Sequence, residues 1–550
     1  METDEYAEHS HEMAAGTFWG LFGNFFTKII AFLYTVYVAR MVTQGDVGLF
    51  YLALGIVGLV GVWRDFGLPA ALTRYVPYFE SRGEYRKATE LLKNTYLVNA
   101  AVSIALTAII WVCAGTIGEF YKNPLLPEAL RLIAAYTLLE NLFRINGSYI
   151  QGKADIKFNQ MVGTTQVLAK LAFTFVLFQI YGPTLPALIA AFLCSYVLGT
   201  IVSLPWIYSK ATKGNSGAGL DGKELYREIV PLGLMLTVLQ TFYGIIASTD
   251  RVILGYLAPQ ASANEMVAIY SMATTVGVNL MVFPGAVGGI FLPVISRLVG
   301  KDDKKGIHRQ VGVGQRWVLF ITLPMAAVMM VFAQEMLGIF YGQGYSTGGG
   351  AMALVVLGLV FAAFTYTISL ALAGMRLVKL ELKVAAAAGI ANVALNFALI
   401  PSFGVEGAAL AAAASFAISA VLFLHYGKKV IGFETPASSY RLLVAGAITC
   451  AAIFLLKPEV TILAGMIPSS IGGAGLAPYI SKSLYLGLLG LMCALAFAIF
   501  GLLSLLLKCF EREDVAVAKR MAKQGRVPDA AISIAEKVLL HGIAVKKGGA

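Results

Sequence analysis

The sequence predicts an all-α polytopic membrane protein with fourteen transmembrane helices, arranged as two related six-helix lobes followed by two further helices. Three observations predict this class. The chain is 58% hydrophobic and 13% charged, whereas a soluble globular domain carries about a quarter charged residues. Its apolar runs often exceed the roughly 20 residues of a membrane-spanning helix, and they are too long and too uniform for barrel strands. The chain also repeats itself at an offset of about 220 residues.

The repeat is visible in two pairs of segments. Ile117–Tyr121 returns as Leu337–Tyr341, and Gln151–Gly182 returns as Ala373–Gly404. Long apolar repeats are typical of transporters built from related halves. Six spans per half mean that both halves cross the membrane in the same direction, and we expect the substrate to be handled between them near the midplane.

The apolar pattern places the spans as follows. The first lobe holds 14–39, 47–73, 94–116, 128–150, 158–181 and 184–208, the second holds 229–257, 266–296, 317–340, 350–374, 384–401 and 405–426, and the last pair is 442–464 and 483–507. The predicted domains are an N-terminal segment 1–13, a first lobe 14–208, a linker 209–228, a second lobe 229–426, the last pair 427–508 and a polar tail 509–550. Glycine and serine in 214–222 predict a flexible linker, and the tail is predicted to be disordered or loosely docked.

The distribution of the basic residues indicates which loops face the cytoplasm. The loops after even-numbered spans hold 23 Lys and Arg residues, whereas those after odd-numbered spans hold five. By the positive-inside rule both termini are cytoplasmic in a multi-pass protein of the cell membrane. The net charge of +11 therefore does not indicate a nucleic-acid partner. An acidic start before a long first apolar run also argues against a cleavable signal.

No catalytic or metal-binding pattern is present in the sequence. The five cysteines lie scattered in or beside apolar runs, and the five histidines lie at termini or loop edges. Neither set has disulfide, zinc or nucleophile spacing. We therefore expect no enzyme activity, no cofactor and no metal, and transport energy must come from a gradient or a partner.

Charged residues inside the predicted spans are the candidate functional residues, because each is costly in a bilayer. They are Lys28, Arg64, Asp65, Glu140, Arg144, Lys170, Asp250 and Arg251. Lys28 and Lys170 have no acidic neighbour within a turn, which favours a water-filled, anion-attracting cavity over neutral buried lysines.

A purely structural role is the alternative for the other charges. Glu140 and Arg144 lie one helical turn apart and could form a pair that only fixes helix packing. Arg64 and Asp65, as direct neighbours, must find partners on other helices. For Asp250 and Arg251 a lobe-packing or gating role is slightly favoured over substrate contact.

The two copies of the repeat differ in these charges. Lys170 aligns with Asn392, and Arg144 aligns with Phe364. The second copy thus lacks the cations, so the first half is predicted to line a positive site. Such a site suits a phosphate-bearing substrate better than a cationic drug.

Several short motifs in chain order resemble one family. They are Ala39-Arg40 with Asp46–Phe50, Asp65–Leu68 with Thr73–Tyr75, Ser248–Gly255, and Asn392, Asn396 and Leu399–Pro401 with Gly404 and Gly407–Ala409. Together they cover most of residues 15–430 and resemble the polysaccharide-biosynthesis branch of the multidrug/oligosaccharidyl-lipid/polysaccharide exporter superfamily, which includes O-antigen and lipid-linked oligosaccharide flippases. The tail beyond about residue 510 lies outside the resemblance.

The resemblance implies a flippase that turns a polyprenyl-(pyro)phosphate-linked oligosaccharide from the cytoplasmic to the outer leaflet by alternating access. Lys28, Arg64, Arg144 and Lys170 would bind the anionic head group, and Asp65 and Glu140 would orient those cations or couple an ion. The implied partners are the lipid-linked oligosaccharide, membrane lipids, glycosyltransferases or polymerases, and Na+ or H+. A cation-coupled multidrug exporter and a non-transporting scaffold for glycosyltransferases are the alternatives, and a lipid II flippase would differ only in cargo.

Overall fold

A computed structural model describes residues 23–64, 66–212, 219–221, 230–375, 377–465, 473–511 and 513–515. These residues form helices joined by short turns, without a β-strand. The helices are α1 (23–41), α2 (Gln44–Gly61), α3 (Leu68–Ser81), α4 (Tyr85–Phe120), α5 (Leu126–Ile133), α6 (Tyr136–Gly152), α7 (Ile156–Tyr181), α8 (Leu185–Thr212), α9 (Val230–Leu257), α10 (Ala263–Gly277), α11 (Val282–Gly300), α12 (Lys304–Val331), α13 (Ala333–Tyr341), α14 (Gly349–Gly374), α15 (Val378–Tyr426), α16 (Ala437–Gly465) and α17 (Gly473–Leu506).

The prediction of an all-α polytopic membrane protein is confirmed. Ten helical stretches of the described residues are long and apolar enough to cross a membrane. The helix α6 is not among them, since it has 17 residues and many polar side chains. In α9 only Gly233–Ile246 has the required apolar character. The first predicted span begins outside the described residues, so the count of fourteen stays a prediction.

The longest helix contains two predicted spans. At 1.5 Å per residue, the 49 residues of α15 would measure about 73 Å, more than twice the roughly 30 Å of a bilayer core. The helix breaks at Gly404, where φ is 54° and ψ is −122°, a conformation that residues with a Cβ atom do not adopt. The break falls between the predicted spans 384–401 and 405–426.

The second predicted span is not one continuous helix, which corrects the sequence-based expectation for 47–73. The helix α2 tightens into a 3₁₀ turn at Val62–Arg64, Phe66 and Gly67 have positive φ, and α3 begins at Leu68. The eighth predicted span shows a related change, since a 3₁₀ turn at Val278–Met281 separates α10 from α11. Broken helices of this kind line binding sites in transporters.

The chain groups into two compact units. The first unit comprises Met1–Met272 and Ala388–Ala411, and the second comprises Ala273–Ala387 and Ala412–Ala550. The first unit thus holds the predicted first lobe together with α9 and part of α15. These units are defined by contacts in space, whereas the predicted lobes are defined by the sequence repeat. The units therefore do not test the lobe boundaries, which stay predictions.

Helix directions in the first unit agree with the predicted topology. Thr27 of α1 hydrogen-bonds Thr164 of α7 at 2.8 Å, and further along both helices the ring of Tyr37 lies 6.0 Å from that of Phe178. The helices α1 and α7 therefore run parallel, as the first and fifth of alternating spans must.

Polar contacts between helices fix the position of α6 in the first unit. Asn141 donates to Ser103 of α4 at 2.8 Å, and Asn146 donates to Ser203 of α8 at 2.6 Å. Each such bond contributes about 0.6 kcal/mol in a membrane. These contacts hold the helix that carries Glu140 and Arg144.

Most of the predicted linker, the N-terminal segment 1–13 and the tail from residue 516 lie outside the described residues. Of the linker, the structure describes 209–212, which end α8, and 219–221, where the amide of Leu220 donates to the Glu90 carboxylate at 2.6 Å. The described start of the tail packs on the second unit, where Cys509 is buried.

We predict that Gly48→Ala destabilises the first unit. A Cβ at Gly48 would lie 1.6 Å from the backbone oxygen of Asn264, so α2 and α10 would have to separate, and overpacking of this kind costs about 1–3 kcal/mol. Thermal unfolding of the purified protein measures the loss. Gly58→Ala on the same helix is the matched control, because a Cβ there meets nothing within 4 Å. Equal stability of both variants would contradict this account of the packing.

Candidate substrate site in the first unit

Three aromatic side chains form the centre of the candidate site. Tyr136 of α6 and Phe192 and Tyr196 of α8 have ring centroids 5.3–5.5 Å apart, the spacing at which edge-to-face and tilted pairs attract each other. We call these three residues the aromatic cluster. All of them belong to the first unit, and two of the predicted cations lie against them.

Lys170 is the first of these cations. Its ammonium lies 4.3 Å from the ring centroid of Tyr34 and 5.8 Å from that of Phe192, within cation–π range. The side chain is half-buried. Among the described residues no carboxylate lies within ion-pair distance of it, so aromatic faces, and not a countercharge, stabilise this lysine.

Arg64 is the second cation, and it lies at the broken helix. It is 7% exposed, and its guanidinium lies 5.9 Å from the Tyr136 centroid. The 3₁₀ turn that ends α2 carries it, and the break is held by a close backbone approach, since a Cβ at Gly67 would lie 2.0 Å from the oxygen of Gly233 in α9. Only glycine fits there, so the break positions Arg64 beside the aromatic cluster.

Glu140 forms an ion pair with Arg64 across helices. The sequence alone suggested its i,i+4 neighbour Arg144 as the partner. Arg144 is exposed at the protein surface, and its charge lies close enough to that of Arg64 for the two to repel. Glu140 is therefore placed to orient Arg64, while Arg144 adds positive charge next to the pair.

The other predicted residues of the site are less central. Lys28 is exposed on α1, and six residues separate it from Tyr34, which corresponds to about 9 Å along the helix. The structure thus brings Arg64, Glu140 and Lys170 to the aromatic cluster and leaves Lys28 more than one turn away. Asp65 lies outside the described residues.

A second polar cluster surrounds Asp250, which is 3% exposed. Its carboxylate accepts hydrogen bonds from the hydroxyl of Tyr270 at 2.5 Å and from the side-chain amides of Asn392 and Asn396 at 2.9 and 2.6 Å. The neighbouring Arg251 lies over the ring of Tyr51 on α2, 5.6 Å from its centroid. The two adjacent charges thus connect α9 to α10, α15 and α2, and their predicted packing or gating role stays a prediction.

Sequence reasoning did not identify Asn396 and Tyr270 as members of this cluster. The four-residue spacing of Asn392 and Asn396 places both amides on one helical face. This spacing is visible in the sequence and could have indicated a shared polar partner. The oxygen Oδ1 of Asn396 is buried without a hydrogen-bond partner in the described structure. A buried polar atom of this kind is costly unless a proton or a cation completes the cluster.

A profile of the polysaccharide biosynthesis protein family matches residues 13–299. The chain is 22% identical over 433 residues to the probable low-salt glycan biosynthesis flippase Agl15 of Haloferax volcanii, covering 78% of this chain and 86% of that protein. It is also 22% identical over 481 residues to the lipid II flippase MurJ of Bacillus subtilis, covering 79% of this chain and 85% of that protein.

The fold is shared with solved transporters. The structure of a lipid II flippase MurJ in an inward closed conformation superposes with a TM-score of 0.67 at 15% identity, over 87% of this chain and 97% of that one. The inward-facing structure of a multidrug resistance transporter superposes with a TM-score of 0.63 at 14% identity, over 74% of this chain and 94% of that one. At these identities the likeness shows the fold alone.

We predict that Arg64 and Glu140 are strongly coupled in stability. Removing one partner of a buried ion pair costs about 3–5 kcal/mol, because the other charge is left uncompensated. Arg64→Gln combined with Glu140→Gln should therefore cost clearly less than the sum of the two single changes. A double-mutant cycle of thermal or denaturant unfolding measures this. Lys428 and Glu434 are the control pair, because their charged atoms lie 2.9 Å apart and both side chains are 71% exposed. Their two substitutions should have additive effects on stability. Additive effects at Arg64 and Glu140 as well would refute the coupling.

Proposed function

The chain belongs to the polysaccharide biosynthesis protein family, and on that premise we propose that it is a flippase for a polyprenyl-(pyro)phosphate-linked oligosaccharide. It moves this lipid from the cytoplasmic to the outer leaflet for surface polysaccharide or glycoprotein biosynthesis. The observation that carries the proposal is the pair of cations Arg64 and Lys170 at the aromatic cluster of a multi-pass membrane protein. The activity is transport, without a catalytic step.

The chemistry of the site suits a phosphate-bearing head group. An exposed or half-buried cation in a membrane protein needs either a countercharge or water, and Lys170 has aromatic faces in place of a carboxylate. Arriving phosphate oxygens would supply the missing negative charge. Arg144 and Lys28 extend the positive surface, and Glu140 keeps Arg64 oriented so that its planar guanidinium can present paired donors.

Coupling to an ion is the second part of the proposal. Asp250 holds a buried carboxylate among oxygen- and nitrogen-bearing side chains, and Asn396 contributes an oxygen without a hydrogen-bond partner. The carboxylate of Asp250 can take up H+, and together with the amide oxygen of Asn396 it offers oxygen ligands of the kind that hard cations such as Na+ prefer. Asp250 is thus a better candidate for coupling than Glu140, whose carboxylate is already paired with Arg64.

A multidrug exporter is the second candidate, because the fold is shared with a multidrug resistance transporter. A cationic drug would need acidic groups at the site. Among the described residues of the first unit, the charges next to the aromatic cluster are two cations with one carboxylate, and that carboxylate pairs with Arg64. Unchanged drug resistance in cells that express the protein is therefore expected.

Deletion of the gene should make a lipid-linked glycan accumulate on the cytoplasmic side of the membrane. The wild-type gene should restore surface glycan, whereas Lys170→Gln should restore less than about a tenth of it, because the head group loses its uncompensated cation. Extraction of the lipid-linked glycan and labelling of the surface glycan measure both.

Lys210→Gln is the matched control for this experiment. Lys210 also lies over an aromatic ring, 5.8 Å from the centroid of Trp206, but at the end of α8 away from the aromatic cluster. It should complement fully, and both variants should reach the membrane in equal amounts. Normal glycan in the deletion strain would refute the flippase, and full complementation by Lys170→Gln would favour a non-transporting scaffold.

Asp250→Asn should remove the response of transport to an imposed ion gradient. The change preserves the shape of the side chain and one acceptor oxygen for the amides of Asn392 and Asn396, and it removes the charge that a proton or Na+ would neutralise. Flipping of a labelled lipid-linked sugar in proteoliposomes, with H+ and Na+ gradients applied separately, measures the response. Asp302→Asn is the control, because Asp302 is exposed with a φ of 50° that asparagine tolerates. A wild-type response in Asp250→Asn would exclude this carboxylate as the coupling group.

A further inference from the structure

A cavity of about 1240 Å³ lies in the second unit, and no residue of the candidate substrate site lines it. Its walls come from the start of α12, from the segment between α15 and α16, and from the chain that follows α17. Five basic side chains line it: Lys304, Lys305, Arg309, Arg316 and Arg441. All three wall segments belong to loops after even-numbered spans, so the positive-inside rule places the cavity at the cytoplasmic face.

Three acidic residues that follow α17, Glu511, Glu513 and Asp514, lie at this cavity, and we call them the acidic segment. Asp514 accepts two hydrogen bonds from the guanidinium of Arg316, at 2.7 and 3.1 Å, and both side chains are nearly fully buried. Glu511 lies 3.2 Å from the same guanidinium and accepts a hydrogen bond from Ser438 at 2.8 Å. Carboxylates bound to arginine in this forked geometry have the same chemistry as a bound phosphate.

The acidic segment does not neutralise the cavity. Four carboxylates meet its five basic groups, since Glu434, Glu511 and Glu513 line the cavity and Asp514 binds Arg316. Glu434 pairs with Lys428, and Glu513 only approaches Arg309, at 3.7 Å. In the described part of the chain Lys304 and Lys305 form no ion pair with a carboxylate. The wall formed by the start of α12 is therefore left with uncompensated positive charge.

The position of these two lysines strengthens the inference. Lys304 and Lys305 are the first two residues of α12, where the helix dipole disfavours cations and attracts anions. Two adjacent cations in that position are unfavourable for the helix unless negative charge lies near them. Asp303 caps the backbone, since its carboxylate accepts from the amide of Gly306 at 2.8 Å, so a bound anion would contact the lysine side chains and not the backbone amides.

The internal ligand is also displaceable. The contacts of Glu511 and Glu513 are more exposed than that of Asp514, with side chains 39% and 33% exposed, and exposed pairs contribute little. An anion of higher charge can therefore replace the outer two carboxylates while Asp514 stays on Arg316.

We propose that this cavity is a second anion site, which binds a phosphate-bearing ligand at the cytoplasmic face and which the acidic segment partly occupies as an internal competitor. The phosphate binds to Lys304, Lys305 and Arg309. The ligand is either the head group of an anionic membrane lipid or a soluble phosphate compound, and both have the same chemistry at these residues.

Binding of inorganic pyrophosphate to the full-length protein in neutral detergent tests the proposal. All measurements use the Lys170→Gln background, so that the candidate substrate site does not contribute. Glu511→Gln with Glu513→Gln removes the competing charges and should tighten binding about threefold to tenfold, whereas Lys304→Ala with Lys305→Ala should weaken it about tenfold. Asp514 and Arg316 stay intact, so the packing of the segment is retained.

Lys301→Ala with Lys379→Ala is the matched control, because both lysines are exposed in the second unit and neither lines the cavity. Pyrophosphate affinity should stay at the value of the Lys170→Gln protein.

A second measurement tests whether the ligand is a lipid. The thermal stability of the same variants is compared between nanodiscs of phosphatidylglycerol and nanodiscs of phosphatidylcholine. Stabilisation by the anionic lipid alone assigns the site to a lipid head group, and binding of pyrophosphate assigns it to a soluble phosphate. Absence of both, or equal loss in the control, would overturn the proposal without bearing on flipping.

Discussion

A charge inside a bilayer has to meet a countercharge, a polar partner or water, and this requirement explains the organisation of the described structure. The protein satisfies it in four ways. Arg64 has a carboxylate from another helix, Lys170 has aromatic faces, Asp250 has a hydroxyl and two amides, and Arg316 has an aspartate from the far end of the chain. The aromatic faces around Lys170 supply no full negative charge, whereas Arg316 is neutralised by a strong forked contact.

Breaks in the helices determine where these charged side chains lie. The turn after α2 is possible because Gly67 has a positive φ and allows the backbone of Gly233 to approach closely. Without that break, Arg64 would lie within a regular helix, and the direction of its side chain would follow only from its position along that helix. The kink at Gly404 has a comparable effect, since it lets the arm of α15 that carries Asn392 and Asn396 end within the first unit while the chain continues into the second.

The sequence predicts the membrane class, most of the helices and two of the buried charges, Arg64 and Asp250, because composition and span length are local properties. It misses the buried Arg316 and Asp514 and includes the exposed Lys28 and Arg144. It does not predict pairing, because partners are chosen by contacts between helices. Glu140 pairs with Arg64 and not simply within its own turn, and Arg316 is bound to a residue 198 positions away. Gly67 and Pro69 are visible in the sequence as residues that can bend the second span, but the close approach of Gly233 that fixes the break is visible only in the structure.

Two positions that the repeat aligns differ in the charge of their side chains. Lys170 and Asn392 occupy equivalent places in the two copies, and the structure shows opposite electrostatic roles for them. Lys170 presents a cation to aromatic rings, whereas Asn392 donates to the buried carboxylate of Asp250. A lysine in place of Asn392 would bring a second cation against Asp250, whose carboxylate accepts from the amides of Asn392 and Asn396. A cation at that position would neutralise the buried carboxylate. The difference between the two copies at this one position therefore separates the cation of one copy from the carboxylate that the other copy contacts.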